Sequence, residues 1–434
     1  MNFILNAGLA VLGTVSTISA QYKHPALLNN RAELDFIKGR IQANAEPWLS
    51  AYNRLRTDSH SSLTYTPSPR AVVECGSYSN PDFGCTDEKS DASAAYSQAL
   101  MWYFSGNNQY AVKCIQILNA WSAVLTQHTN SNAPLQAAWT GSVFPRAAEI
   151  MRYAYGQWPA AEVTRFSTML STAFIPLIRN GTGIAGTNGN WELSMIEALM
   201  AIGVFNEDTA SFNKGVLLWR RRVPAYFYLT SDGNVPIAPY GTNMTGTQLL
   251  SHWYNPGVFP NGLCQETCRD FGHTQYGLAA MINAAEIARH QGLDLYSEFT
   301  TRITAALEFH ANLLLGNPAP AGLCGGTLNL SVDPTWEIAY NHFHNRLGLN
   351  LPLTNRLITT RVRISGIDHH MDWETMTHAN LGAVGLPIPV RPQVEKISSR
   401  PLPGLRRAGT SWVQWKSSDG RIYALNGTRL IRAR

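Results

Sequence analysis

Arg269, His273 and Tyr276 could together move protons on an anionic ligand. They stand in the run Cys264-Gln265-Glu266-Thr267-Cys268-Arg269-Asp270-Phe271-Gly272-His273-Thr274-Gln275-Tyr276-Gly277. The apolar residues that follow, Leu278, Met281, Ile282, Ala285 and Ile287, have helical spacing and run to Gly292, a natural C-terminal stop. Thr267 with Asp270 three residues on reads as a capping box, which predicts a helix start near Cys268. At about 100° per residue, Arg269, His273 and Tyr276 then share one helical face within two turns. An always-charged guanidinium, an imidazole and a phenol would point the same way, near a helix end that itself favours anions. A capped helix with polar decoration accounts for the same pattern, so the reading needs partners elsewhere in the chain.

A second polar cluster lies upstream. The glycine-rich loop Asn180–Asn190 delivers Asn188, Asn190 and Trp191 onto the next helix, where amides and an indole can meet a sugar carboxylate or hydroxyl. Trp139, with Arg146 and Glu149 on the same segment, offers a platform for a sugar ring, although core packing explains a tryptophan equally well. Two further stretches are dense in polar side chains: Tyr340-Asn341-His342-Phe343-His344-Asn345-Arg346 and Asp368-His369-His370-Met371-Asp372-Trp373-Glu374. Neither has the spacing of a strict metal signature, and no metal is expected. Phosphate-binding loops, dinucleotide fingerprints and a Gly-x-Ser-x-Gly elbow are all missing from the sequence.

The elements that must position these groups read as helix after helix from Arg31 onward. Apolar residues three and four apart mark segments 32–45, 47–56, 92–104, 109–126, 146–156, 160–178, 191–205 and 212–228, then 268–291, 295–315, 336–347 and 355–362. No βαβ pattern and no fixed repeat period interrupts them. Antiparallel helix pairs in this number predict an all-α chain, an α/α toroid or incomplete barrel, with loops at one end forming a cleft. The Pro- and Gly-rich stretch 230–263 reads as a wall or lid of that cleft.

Charged residues are 15% and aromatics 10% of 434 residues, which excludes a disordered chain and leaves room for a large core. Residues 1–20 read as a secretory signal peptide, residues 21–390 as the toroid, and residues 391–434 as a basic tail with a β-hairpin-like segment at 412–425. Six cysteines fit a secreted chain, with Cys75 and Cys85 the natural pair across a turn-rich segment. A bridge from Cys264 or Cys268 to Cys324 would brace the loop before the key helix. Sequons at Asn180, Asn243, Asn329 and Asn426 are compatible with glycosylation. The tail carries ten bases against Glu395 and Asp419, so the net charge of +5 says little about the toroid. No run is long and apolar enough to span a membrane.

The motifs Asn188-Gly-Asn190-Trp191-Glu192 and Arg269-Asp-Phe-Gly-His273-Thr-Gln-Tyr276 resemble the alginate lyase superfamily of polysaccharide lyases. The likeness runs from about residue 31 to 387 and is weaker in 336–346 and 373–382. It implies a secreted, monomeric α/α-toroid enzyme that acts on an acidic polysaccharide such as alginate or glucuronan, with no cofactor and no nucleic-acid or membrane partner. In that family an Arg and a Tyr seven residues apart carry catalysis, and Arg269 and Tyr276 match the spacing. The family's Asn-His pair before a Trp helps neutralise the uronate carboxylate; here Asn188 occupies the expected place of the His, and His273 can supply the imidazole. Trp139, Trp191, Trp336, Tyr340, His342 and Arg346 are the expected substrate-binding residues. The chemistry implied is β-elimination: the carboxylate is neutralised by Asn188 or Asn190, His273 and Arg269, which stabilises an enolate-like intermediate. Tyr276, its pKa lowered by Arg269, takes the C5 proton and returns one to the leaving oxygen. A glycoside hydrolase built on Asp270 with Glu192 or Glu337, and a non-catalytic polyanion binder, are the alternatives.

Overall fold

The computed structural model describes residues 22–180, 187–364, 366–382 and 384, together with the backbone of three short strands nearer the C-terminus. The expected signal peptide and most of the basic tail lie outside the described residues. Helices α1 (Arg31–Gln42) and α2 (Trp48–Thr57) come first, followed by β1 (Val72–Cys75) and β2 (Asp82–Phe83). From there the chain alternates between two kinds of helix.

The inner kind is buried on nearly every side: α3 (Cys85–Ser105), α5 (Ala133–Glu149), α8 (Gly189–Phe205) and α11 (Phe271–His290). Small residues such as Ala94, Ala95, Ala137, Ala138, Ala279 and Ala280 let these helices approach closely, with no polar face to turn outward. The outer kind buries one stripe: α4 (Asn108–Val124), α6 (Ala160–Met169), α9 (Thr209–Arg222) and α12 (Thr300–Leu314). In α4, for example, Ala111, Cys114, Ile117, Leu118 and Trp121 face the core at helical spacing. Within the inner layer α5 lies between α3 and α8, and α8 between α5 and α11; α4 covers α3 and α9 covers α8. That layering is the expected α/α toroid. Shorter pieces complete it: β3 (Gln127–Thr129), α7 (Ile175–Ile178), α10 (Gly246–His252), α13 (Glu337–Tyr340), α14 (Pro352–Thr360) and α15 (Glu374–His378). β3 pairs in parallel with β1, which also pairs with β2.

Boundaries differ from the sequence reading in several places, α3, α5 and α12 among them. α5 begins at Ala133 and continues through Pro145, where the reading had begun a helix only after the proline. Packing on both sides holds the chain helical although Pro145 has no N–H to donate. The loop 230–263 contains α10, whose single turn or two leave little periodicity to read.

Disulfides join Cys75 to Cys85, as expected, and Cys268 to Cys324; Cys114 and Cys264 are buried thiols. A buried ion-pair network fastens α1 to α11. Arg289 and Arg346 both donate to Glu33 and to Glu286, and His290 meets Glu33 at 2.8 Å. Glu33, Glu286 and His290 converge closely enough to hold a metal, but the two guanidinium groups already satisfy the carboxylates. Burial would raise both carboxyls, yet the surrounding cations hold Glu33 at about 2 and Glu286 well below the usual range.

Residues from Pro387 onward form a second unit. Its strands β4 (Val413–Lys416), β5 (Ile422–Asn426) and β6 (Arg429–Arg432) make an antiparallel meander, one strand more than the expected hairpin.

Candidate active site

The key helix starts later than its sequence suggests. α11 begins at Phe271, and its N-cap is Asp270, whose carboxylate accepts from the His273 N–H at 2.8 Å. Thr267 is no cap: its hydroxyl accepts from the Cys264 N–H at 3.0 Å and meets His310 Nε2 at 2.9 Å, while Cys268 is committed to its disulfide. Arg269 therefore stands before the helix rather than on its face. It is aimed by carboxylates instead, donating to Glu266 at 2.9 Å and lying 3.7 Å from Asp270.

Gln265 and Glu266, which the sequence reading passed over, organise the asparagine loop. The fully buried Glu266 carboxylate accepts from the Asn190 N–H at 3.0 Å, from its amide Nδ2 at 2.7 Å, and from the Tyr226 hydroxyl at 3.0 Å. Gln265 accepts from the Gly189 N–H at 2.9 Å and donates to Asn188 Oδ1 at 3.0 Å. Asn190 is thus sealed inside, whereas Asn188 stays partly exposed, its amide donating to the Tyr254 hydroxyl at 2.8 Å. The Tyr226 ring that steadies Glu266 is wedged between two glycines. A Cβ on Gly189 would lie 2.0 Å from its Cδ2, and one on Gly277 would lie 2.1 Å from its hydroxyl oxygen. Gly277→Ala should therefore lower stability by about 1–3 kcal/mol through overpacking. Thermal melting checks this, and an unchanged melting temperature would show that Tyr226 can move aside.

His273 and Tyr276 come next along the helix, with ring centroids 5.9 Å apart. Asp270 meets His273 Nδ1 through both oxygens, at 2.8 and 2.7 Å. The Tyr276 hydroxyl donates to Asp368 at 2.8 Å, and Asp368 in turn binds His369. Trp139 packs against both rings, 6.0 Å from Tyr276 and 4.2 Å from His369 between centroids. Lys89, on α3, lies 5.4 Å above the Trp139 ring with its Nζ 3.4 Å from His369 Nε2.

This corrects the electrostatic expectation for Tyr276. Its pKa is raised, first by burial and then by the Asp368 carboxylate, and Arg269 is turned toward Glu266 and Asp270 instead. Asp368 itself is pushed up by burial but pulled below its ordinary value by His369 and the phenol. Nearby Asp333 is lifted to about 7 by burial and by the charges of Asp368 and Asp270.

Not every expected residue joins this strip. Trp336 is buried, its indole donating to Gln275 at 3.0 Å. Tyr340 is buried against His344, His342 stacks on Tyr296 at 3.8 Å, and Arg346 belongs to the Glu33–Glu286 network. Burial lowers the His342 pKa to about 3, which fits a core imidazole. The chain from Trp336 through the helical segment 337–346 turns these four side chains, which the family resemblance marks for substrate, into the interior. Trp191 is partly exposed and packed on the core. Arg146 bridges Glu197 and the His370 carbonyl, and Glu149 holds His24, so neither joins this strip. The carboxylates a hydrolase would need are occupied: Glu337 is buried beside Arg363, and Glu192 lies 3.6 Å from Arg222. Asp368, His369, Lys89 and Tyr254 were not singled out as site residues; only the polar density of 368–374 hinted at the first two.

The comparisons with known proteins agree with this architecture. A sequence model of the family described as Alginate lyase matches residues 51–321. No curated protein matches the sequence. Among solved structures, alginate lyase A1-III from Sphingomonas species A1 is similar over 85% of this chain and 96% of its own, at 16% identity and a TM-score of 0.53. A tyrosine-to-phenylalanine variant of A1-III complexed with tetrasaccharide is similar over 86% and 99% of the two chains, at 17% identity and a TM-score of 0.53. A histidine-to-alanine variant in its apo form gives a TM-score of 0.54 at 15% identity, over 84% of this chain and 97% of that one. At these identities the structures speak for the fold, and the sequence match speaks for the family. The chain belongs to the alginate lyase family and is a polysaccharide lyase of the α/α-toroid type.

Proposed function

We propose that this enzyme depolymerises a polyuronate, of alginate or glucuronan type, by β-elimination at the strip running from Asn188 to Tyr276. The observation that carries the reading is a chain of contacts among four partly exposed groups suited to that reaction. Asn188 meets Tyr254, which feels the charge of Arg269, and Arg269 and His273 share Asp270 beside Tyr276. Asn188 and Arg269 bring an amide and a guanidinium for the uronate carboxylate, and His273 and Tyr276 bring two groups that can move protons. Neutralising the carboxylate matters because the C5 proton is only weakly acidic until the developing enolate is stabilised. Trp139 and Trp191 provide aromatic surface for sugar rings. The test is a panel of mannuronan, guluronan and glucuronan followed by the ultraviolet absorbance of the new C4–C5 double bond. Reducing ends released without that absorbance would point to hydrolysis.

We further propose that the enzyme works outside the cell as a monomeric glycoprotein. In support stand the apolar N-terminal run, the two disulfides, and sequons whose Asn180, Asn243 and Asn329 are exposed. The basic tail would add attraction for long polyanions. Truncation after Pro387 should spare kcat on short oligosaccharides but weaken binding to long chains and flatten its salt dependence, measured by titration at two ionic strengths. Loss of soluble protein on truncation would show instead that the tail belongs to the fold.

A further inference from the structure

The stretch 234–248, in the middle of the loop 230–263, is tied to the rest of the protein by packing. Pro236 and Pro239 are buried, and Ala238 and Met244 pack on the core. Among the described residues its hydrogen bonds are local, from Thr242 to the Pro239 carbonyl and from Gln248 and Leu249 to the Thr245 carbonyl. Thr242 closes a tight turn on Pro239, at 3.1 Å through its N–H and 2.8 Å through its hydroxyl, with Gly241 at φ +81° inside it. Tyr240, on the same turn, is 67% exposed. The Arg221 guanidinium of α9 covers one face of its ring, 3.8 Å from the centroid, and the other face is left to solvent.

A singly exposed aromatic is ordinary on a surface, but three positions on from Tyr240 stands Asn243, in the sequon Asn243-Met244-Thr245. Asn243 is exposed, and Thr245, at the N-cap position of α10, makes no capping bond with its side chain. An open groove of about 1090 Å³ runs beside them, lined by Asn243 itself and by Thr242, Met244, Thr247, Gln248 and Ser251. The places three before Asn180 and Asn329 hold Leu177 and Gly326, so neither offers a ring.

We propose that Asn243 carries an N-linked glycan whose first N-acetylglucosamine packs on the open face of Tyr240 and whose next sugars lie in the groove, bracing the loop. The proposal rests on the reading of the chain as a secreted glycoprotein. The turn shortens the roughly 10 Å that three residues span in extended chain. The sugar ring presents C–H groups to the aromatic face, while its amide and hydroxyls can pair with Thr247, Gln248 and Ser251. An oligosaccharyltransferase of the secretory pathway supplies the glycan as a polyisoprenyl diphosphate oligosaccharide. Asn243 Nδ2 bonds to the sugar C1 and loses one proton to solvent, while the C1–O bond breaks with its electron pair on the departing lipid diphosphate. Nothing is oxidised or reduced. The brace lies next to the candidate site, because α10 follows at once: its His252 carbonyl accepts from Gln265, and Tyr254 beyond it accepts from Asn188.

Glycopeptide mass spectrometry of the full chain secreted from a eukaryotic host should find Asn243 occupied. A bare Asn243 beside an occupied Asn180 or Asn329 overturns this proposal alone; bare sequons throughout overturn the glycoprotein reading with it. Hydrogen exchange tests the brace. Thr245→Ala removes the sequon without removing a side-chain cap, and should speed amide exchange across 236–248 by about three- to tenfold. Tyr240→Ala should do the same with the glycan still attached, and the double variant should exchange no faster than Thr245→Ala. Trimming the wild-type glycan to its first sugar should leave exchange unchanged. Exchange that no variant alters, or that Tyr240→Ala speeds equally without the glycan, overturns the sugar contact, and so does a trimmed protein that exchanges as fast as Thr245→Ala.

Discussion

Tyr276→Phe should lower kcat by about 10³-fold or more, a loss of ~4 kcal/mol in transition-state stabilisation, with little change in substrate binding or melting temperature. The phenyl ring keeps its packing against Trp139 and His369, so the surrounding side chains stay in place. What disappears is one hydroxyl, whose hydrogen-bond partner among the described residues is Asp368. Asp368 keeps His369 and has a side chain 36% exposed, so water can replace the lost donor and the fold does not suffer. The leaving oxygen, by contrast, loses its proton source and must depart as an alkoxide. Stopped assays by absorbance give kcat, calorimetric titration gives binding, and melting reports the fold. Retention of more than a tenth of wild-type kcat, a loss of only about 1.4 kcal/mol, would take the proton transfer away from Tyr276.

Asn188→Ala and Asn190→Ala should fail in different measurements. Asn188 is partly exposed, and an amide there can donate to a carboxylate whose charge grows as C5 loses its proton. Its removal should lower kcat more than it raises KM, by about 3 kcal/mol in kcat/KM, with a nearly normal melting temperature. Asn190 has no exposed surface, and its amide supplies two of the hydrogen bonds to buried Glu266. Alanine there leaves that carboxylate short of donors and should cost about 1–3 kcal/mol of stability, with activity falling only as the loop loosens. An oligosaccharide complex in which the Asn188 amide lies beyond hydrogen-bond distance of every uronate carboxylate would end its proposed role. An Asn190→Ala protein that melts normally would show that Tyr226 and Arg269 satisfy Glu266 by themselves.

What the sequence determined by itself was local. The spacing of Leu278, Met281, Ile282 and Ala285 belongs to a helix wherever it packs, so His273 and Tyr276 had to share a face. The alternation of apolar stripes with loops of Gly, Pro and Asn was enough for an α/α toroid, because each stripe needs a neighbouring helix to cover it. The Cys75–Cys85 bridge was legible for the same reason, since only a short turn separates its ends. Tertiary structure decided everything that depends on residues distant in the chain. Thr267 and Asp270 looked like one capping box, but His310 and the Cys268–Cys324 bridge claim the first turn, and the helix begins one residue after Asp270. Trp336, His342 and Arg346 have the chemistry of a sugar site, yet Gln275, Tyr296 and the Glu33–Glu286 pair draw them into the core. Asp368 reaches Tyr276 only because Arg146 and Asn283, on two different inner helices, hold the 368–371 turn against α11. Helical periodicity fixes which side chains share a face, whereas the charge that meets that face is chosen by how the ring of helices closes.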